Sequence, residues 1–176
     1  AIADLLFTYS ADADDNLAAE NVPSRCVHRV GNVMIDTLLH FRDKARASDA
    51  IQRHGLTEKQ YVLVTIHRRS NLENRVILAG LVDALVRIAE DTDMLFPLHP
   101  HTRKRLEEEG LMQRLAGARR LRLVEPVGYV EMLCLMEGAQ LALVDSGGIQ
   151  EETTVLGVPC LTMRENTERP VTITEG

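Results

Sequence analysis

From residue 61 onward, short unbroken apolar runs alternate with longer segments in which apolar residues recur every three or four positions. The runs are Tyr61–His67, Met94–His99, Leu121–Glu125, Leu141–Asp145 and Cys160–Met163. None shows the in/out alternation of a half-exposed strand, so each predicts a strand covered on both faces. The segments between them carry helical spacing: Leu72–Glu90 (with Ile77, Leu81, Leu85 and Ile88), Thr102–Leu115, Gly128–Gly138 and Gly148–Leu156. Strand and helix in regular alternation predict an α/β fold, a parallel sheet joined by right-handed crossovers with helices on both faces. In such sheets, ligands bind beyond the carboxyl ends of the strands.

The first 60 residues follow another rhythm. Leu5–Tyr9 and Val27–Val30 predict strands, Ala11–Glu20 a short helix, and Met34 to about His54 one long helix after Gly31-Asn32. The chain opens close to an apolar strand and stops just after Val171–Thr174, as a segment of a longer protein would.

Composition narrows the picture. An apolar fraction of 45% supports a sizeable core. A net charge of −6 argues against a nucleic-acid partner. No apolar run is long enough for a membrane span, so no membrane partner is expected. The three cysteines, Cys26, Cys134 and Cys160, are far apart and lack metal or redox spacing. They predict free thiols in a reducing cytoplasm. No cofactor is expected.

Candidate chemistry gathers at the strand ends. After Leu141–Asp145 comes Ser146-Gly147-Gly148 and then a helix. Glycines there permit positive φ and close approach of a ligand, and the helix start offers free N–H groups and a positive pole. With the Ser146 hydroxyl these form a phosphate cradle, although a tight turn with Ser146 as an ordinary N-cap has the same spacing. Glu151 and Glu152 suit a first helical turn, but they crowd an anion unless one points aside to accept sugar hydroxyls. His67-Arg68-Arg69 ends the first strand of this region, and Pro97-Leu98-His99-Pro100-His101 ends the next. The paired histidines lack a third ligand at matching spacing, so no metal site is expected. Arg164 and Arg169 flank a last loop, where a loop arginine either closes over a phosphate or base or forms a surface salt bridge with Glu165 or Glu168. Each signal is weak alone; together they fall on one edge.

The strings 31-GNVMID-36, 64-VTIHRRSN-71, 125-EPVGYVEMLCLM-136, 145-DSGGIQEETTVLGVPCLTMR-164 and 167-TERP-170 resemble the second half of the non-hydrolysing UDP-N-acetylglucosamine 2-epimerase family. The resemblance implies a Rossmann-like domain, residues 31–176, truncated at its carboxyl end, as one half of a glycosyltransferase-B-like two-domain fold. Residues 1–30 would end the amino-terminal domain or link to it. The implied reaction interconverts UDP-GlcNAc and UDP-ManNAc: UDP is eliminated across C1–C2 to a glycal and then re-added with inversion at C2. Donors around the leaving diphosphate stabilise that transition state. By resemblance, Ser146, Gly147 and Gly148 hold the diphosphate, Glu152 the ribose hydroxyls, and Val127 and Met132 the uracil. Arg169 contacts the nucleotide, and His67 stands beside the phosphates among the catalytic groups. Arg68 and His99 match a regulatory UDP-GlcNAc site of some bacterial members. The family also implies a homodimer at full length, and acid/base carboxylates in the domain outside this sequence, so the chain alone is expected to be inactive. The alternatives are a nucleotide-sugar glycosyltransferase of the same architecture, or an epimerase of a UDP-diacetamido sugar acid.

Overall fold

The computed structural model describes residues 3–174. Five parallel strands form its main sheet: β3 (Tyr61–Thr65), β4 (Asp93–Pro97), β5 (Leu121–Val124), β6 (Leu141–Val144) and β7 (Cys160–Thr162), in the order β5-β4-β3-β6-β7. Two earlier strands, β1 (Leu6–Thr8) and β2 (Val27–Arg29), pair in parallel as a separate sheet with α1 (Ala11–Ala19) between them in the chain.

The unbroken apolar runs have a direct explanation. Successive side chains of a strand point to opposite faces. Val62 and Val64 enter a core with Leu78, Val82 and Leu85 of α5 (Arg75–Ile88) and Leu106 of α6 (Pro100–Glu108). Tyr61 and Leu63 enter the other, with Leu38 of α2 (Val33–Arg46) and Leu133 of α8 (Tyr129–Glu137). All five residues of β3 are therefore buried. The expectation of two covered faces fails at the outer strands: β5 is only half-buried beyond Leu121, and Leu161 of β7 is exposed. An edge strand lacks neighbours to bury it.

Three expected helices are broken in two. The segment 34–54 divides into α2 and α3 (Ala50–Arg53), where the Ser48 hydroxyl accepts the Ala50 N–H at 3.2 Å and restarts the helix. The segment 72–90 divides into α4 (Arg69–Glu73) and α5, because the Asn74 side chain accepts from Val76 N at 3.0 Å and Ile77 N at 3.3 Å. The segment 102–115 divides into α6 and α7 (Met112–Ala116) at Gly110, whose φ of +69° ends a helix. The apolar spacing runs through all three breaks, so periodicity alone hides them. The remaining helices are α9 (Gly147–Leu156) and α10 (Val171–Thr174).

From β3 the chain steps outward through β4 to β5, then returns to the opposite side of β3 with β6 and β7. The winding direction reverses between β3 and β6, where Thr65 and Val144 are register partners. A crevice opens at such a point because successive crossovers leave in opposite directions.

Candidate functional site

Asp145 fastens that crevice. It is fully buried at the end of β6, and its carboxylate accepts from His67 N at 3.0 Å, Arg68 N at 2.8 Å and Asn71 Nδ2 at 3.1 Å. His67 Nδ1 lies 3.1 Å from it. Burial pushes the Asp145 carboxyl up, but the His67 ring and the two backbone donors outweigh it and hold the carboxyl below its usual range. In return, Asp145 raises the His67 imidazole above its ordinary value, so His67 is biased toward the cation at the mouth of the crevice. The sequence marks Asp145 only as a lone acid at a strand end before a glycine pair, and this role depends on which strands lie side by side.

Ser146 precedes α9 as its N-cap, yet its side chain makes no capping bond. The ordinary-cap reading therefore fails, and the hydroxyl stays available. Gln150 N bonds back to Ser146 O at 3.3 Å, and the amides of Gly147, Gly148 and Ile149 come before it at the open helix start. The expected positive φ is a correction: both glycines are the first residues of the helix, and positive φ falls at other glycines, Gly157 among them. What the missing side chains allow is close approach. A Cβ on Gly147 would lie 3.3 Å from Glu168 Oε2 and 3.5 Å from Arg164 Nη2, and one on Gly148 would meet Met34 Cε at 2.8 Å.

Of the loop arginines, Arg164 pairs with Glu168 at 2.7 Å, as one alternative held, and Arg68 joins the same carboxylate at 2.6 Å. Arg68 holds the Glu168 carboxyl down at about 2. Arg169 pairs instead with buried Glu151, Nε to Oε1 3.0 Å, and its guanidinium lies over the Tyr9 ring, 5.1 Å from the centroid. Of the two acids in α9, Glu151 is thus spent on Arg169. Glu152 is buried too and accepts the Tyr129 hydroxyl at 2.9 Å. Burial pushes its carboxyl up, the Tyr129 bond opposes this, and neighbouring Glu151 adds to it.

An apolar cleft of about 260 Å³ opens beside His67, lined by Thr65, Pro97, His99, Val127, Met132 and Ile149 among others. His99 therefore shares the cleft with Val127 and Met132, and its Nδ1 accepts from His101 N at 3.2 Å. A larger cavity, about 750 Å³, lies between Tyr9, Asp15, Arg29, Thr154 and Pro170. Among the described residues, no group of three or more His, Cys, Asp or Glu is placed to hold a metal, and no helix is long and apolar enough to cross a membrane. The edge thus offers open helix amides and a serine for an anion, an apolar slot for a flat ring, and a buried carboxylate for hydroxyls.

The family model for UDP-N-acetylglucosamine 2-epimerase matches residues 1–176. The chain belongs to that family. A UDP-N-acetylglucosamine 2-epimerase of Methanococcus maripaludis is 37% identical over 98% of this chain and 48% of its own length. The Methanocaldococcus jannaschii UDP-GlcNAc 2-epimerase, solved in complex with UDP-GlcNAc and UDP, superposes with a TM-score of 0.93 at 37% identity, covering 99% of this chain and 49% of that one. A Pseudomonas aeruginosa UDP-2,3-diacetamido-2,3-dideoxy-D-glucuronate 2-epimerase is 35% identical over 95% of this chain and 45% of its own. This member of the epimerase family spans about half the length of these relatives. Its parallel, Rossmann-like sheet is the expected one. The residues the resemblance singled out, Ser146, Gly147, Gly148, His67, Val127, Met132, Glu152, Arg169, Arg68 and His99, lie on or beside the carboxyl edge of that sheet. Sequence reading missed Tyr129, Gln150 and Asn71, whose polar contacts join elements far apart in the chain or brace the edge.

Proposed function

We propose that this chain is the nucleotide-binding half of a UDP-GlcNAc 2-epimerase that, when complete, interconverts UDP-GlcNAc and UDP-ManNAc by eliminating and re-adding UDP. The observation that carries this reading is the start of α9: a serine free of capping duty and two helical glycines with open amides, at the strand switch point. The diphosphate binds there, where fixed amide dipoles stabilise the charge that develops as the C1–O bond breaks. The cationic form of His67, favoured by Asp145, faces the same charge. Uracil enters the slot of Val127 and Met132, and the ribose hydroxyls donate to Glu152. Arg169 contacts the nucleotide from the last loop.

The carboxylates that move the C2 proton come from the other half of a glycosyltransferase-B-like pair. The boundary near residue 30 is supported by the separate β1–β2 sheet. The complete enzyme is a homodimer of the cytoplasm, and free Cys26, Cys134 and Cys160 fit that reducing setting. A transferase has no support among these relatives, and the Pseudomonas relative, named for a diacetamido uronic acid, does not displace UDP-GlcNAc at 35% identity. Calorimetry tests the reading. The 176-residue chain should bind UDP more tightly than UMP, with UDP-GlcNAc little better than UDP, and should not epimerise it. Absence of UDP binding, or turnover by this chain alone, overturns it.

A further inference from the structure

We infer that Tyr129 is a positioning residue for ribose recognition, fixing the Glu152 carboxylate through its hydroxyl so that one oxygen faces the nucleotide. This rests on the proposed uridine diphosphate site and adds a residue that acts through another.

The argument begins with what a buried carboxylate requires. Glu152 is 6% exposed, and an acid so covered is held by hydrogen bonds or is costly to keep ionised. Tyr129 supplies one donor, its hydroxyl 2.9 Å from Oε1. Among the described residues no other side chain donates to Glu152, which leaves Oε2 for a donor from outside. A pair of adjacent sugar hydroxyls is such a donor.

Position supports the same reading. Tyr129 opens α8 directly after Gly128, and the Phe41 ring packs edge-on against it at a centroid distance of 6.0 Å and 78°. The ring is thus braced from α2 while its hydroxyl reaches across to α9. One turn along α8 from Tyr129 is Met132, and one turn before Glu152 on α9 is Ile149; both line the apolar slot. The tyrosine–carboxylate pair therefore borders the slot on the same two helices. A base in the slot brings its ribose to that border. Without the phenol, Glu152 would lose the contact that selects one rotamer.

The test compares UDP with 2′,3′-dideoxy-UDP by calorimetry on the 176-residue chain. The wild-type chain should prefer UDP. Tyr129→Phe keeps the ring and its packing; it should weaken UDP about three- to tenfold and leave dideoxy-UDP nearly unchanged, so the preference narrows. Glu152→Gln should narrow it as well, and the double variant should lose little more, because both act through one contact. Two ligands weakened equally by Tyr129→Phe, or a preference left intact, would overturn the inference while leaving the UDP site standing. If the wild-type chain binds both ligands alike, the ribose role of Glu152 falls and the inference falls with it. If UDP does not bind at all, it is the proposed function that has failed.

Discussion

Ser146 and Arg169 reach the proposed diphosphate by different means, and their substitutions should differ accordingly. Ser146→Ala removes one donor and leaves the open amides of α9 in place; Arg169→Ala removes a charge and also strands Glu151, whose Oε2 has no partner among the described residues. Each should weaken UDP by about 1–3 kcal/mol, but only Arg169→Ala should also lower the melting temperature of the unliganded chain. Unchanged UDP affinity in both would place the site elsewhere. His67 offers a second test, through pH. Its folded value lies above the ordinary 6.5, so its pairing with Asp145 stabilises fully below 6.5 and loses that contribution as pH rises through the higher folded value. Asp145 lies below its ordinary 3.8, so its share is present above 3.8 and lost only as pH falls through the depressed value. Between those limits both contributions are complete. The ring is half exposed and screened, so the change is small but its sign is fixed. Thermal melts on either side of 6.5 should show the wild type losing stability faster than His67→Gln as pH rises; parallel curves would refute the coupling.

Elements were legible where burial writes a periodic signal and illegible where a single polar contact decides. Four of the five main-sheet strands fall inside the expected apolar runs and β4 begins one residue earlier, at Asp93, because covering both faces of a strand such as β3 favours an unbroken apolar run. The breaks at Ser48, Asn74 and Gly110 interrupt no apolar rhythm; they come from a side chain turned back on the main chain or from one positive φ. The site divides in the same way. Ser146 and the glycines are contiguous and could be read, whereas the Tyr129–Glu152 and Arg169–Glu151 pairs depend on which helices meet. Gly138 is another such case. It ends α8 without positive φ, and nothing in its sequence neighbourhood marks it as special. In the fold its missing Cβ matters, since one placed there would stand 2.3 Å from Ile51 Cδ1, 3.1 Å from the Tyr61 hydroxyl and 3.3 Å from Cys134 O. The Tyr61 hydroxyl donates to Leu135 O and cannot yield without losing that bond. Gly138→Ala should therefore cost about 1–3 kcal/mol in denaturant unfolding, the range for overpacking, despite the better helix propensity of alanine. A neutral result would mean that the Ile51 side chain simply moves aside.

At the scale of the whole molecule, the question is how the small β1–β2 sheet bears on a site built by the larger one. The clearest link is Tyr9, just after β1, whose ring lies beneath the Arg169 guanidinium. Arg169 is held from two sides, by Glu151 in α9 and by Tyr9 from the first 30 residues. The loop carrying it is otherwise braced by Glu168, which ties Arg164 to Arg68. Removing the Tyr9 face should leave that brace and the Glu151 pair intact and loosen one side of the guanidinium alone. Tyr9→Leu should then weaken UDP by about 0.5–1 kcal/mol, the size of a partly exposed cation–π contact. In an Arg169→Ala background the same change should have no effect on UDP, because the residue through which it acts is gone. That vanishing distinguishes a specific link from general loosening of the amino-terminal segment, which would weaken UDP in both backgrounds. If Tyr9→Leu leaves UDP affinity unchanged, the two sheets share a surface but no function. If it weakens UDP only while Arg169 is present, the segment before residue 30 already forms part of the nucleotide site.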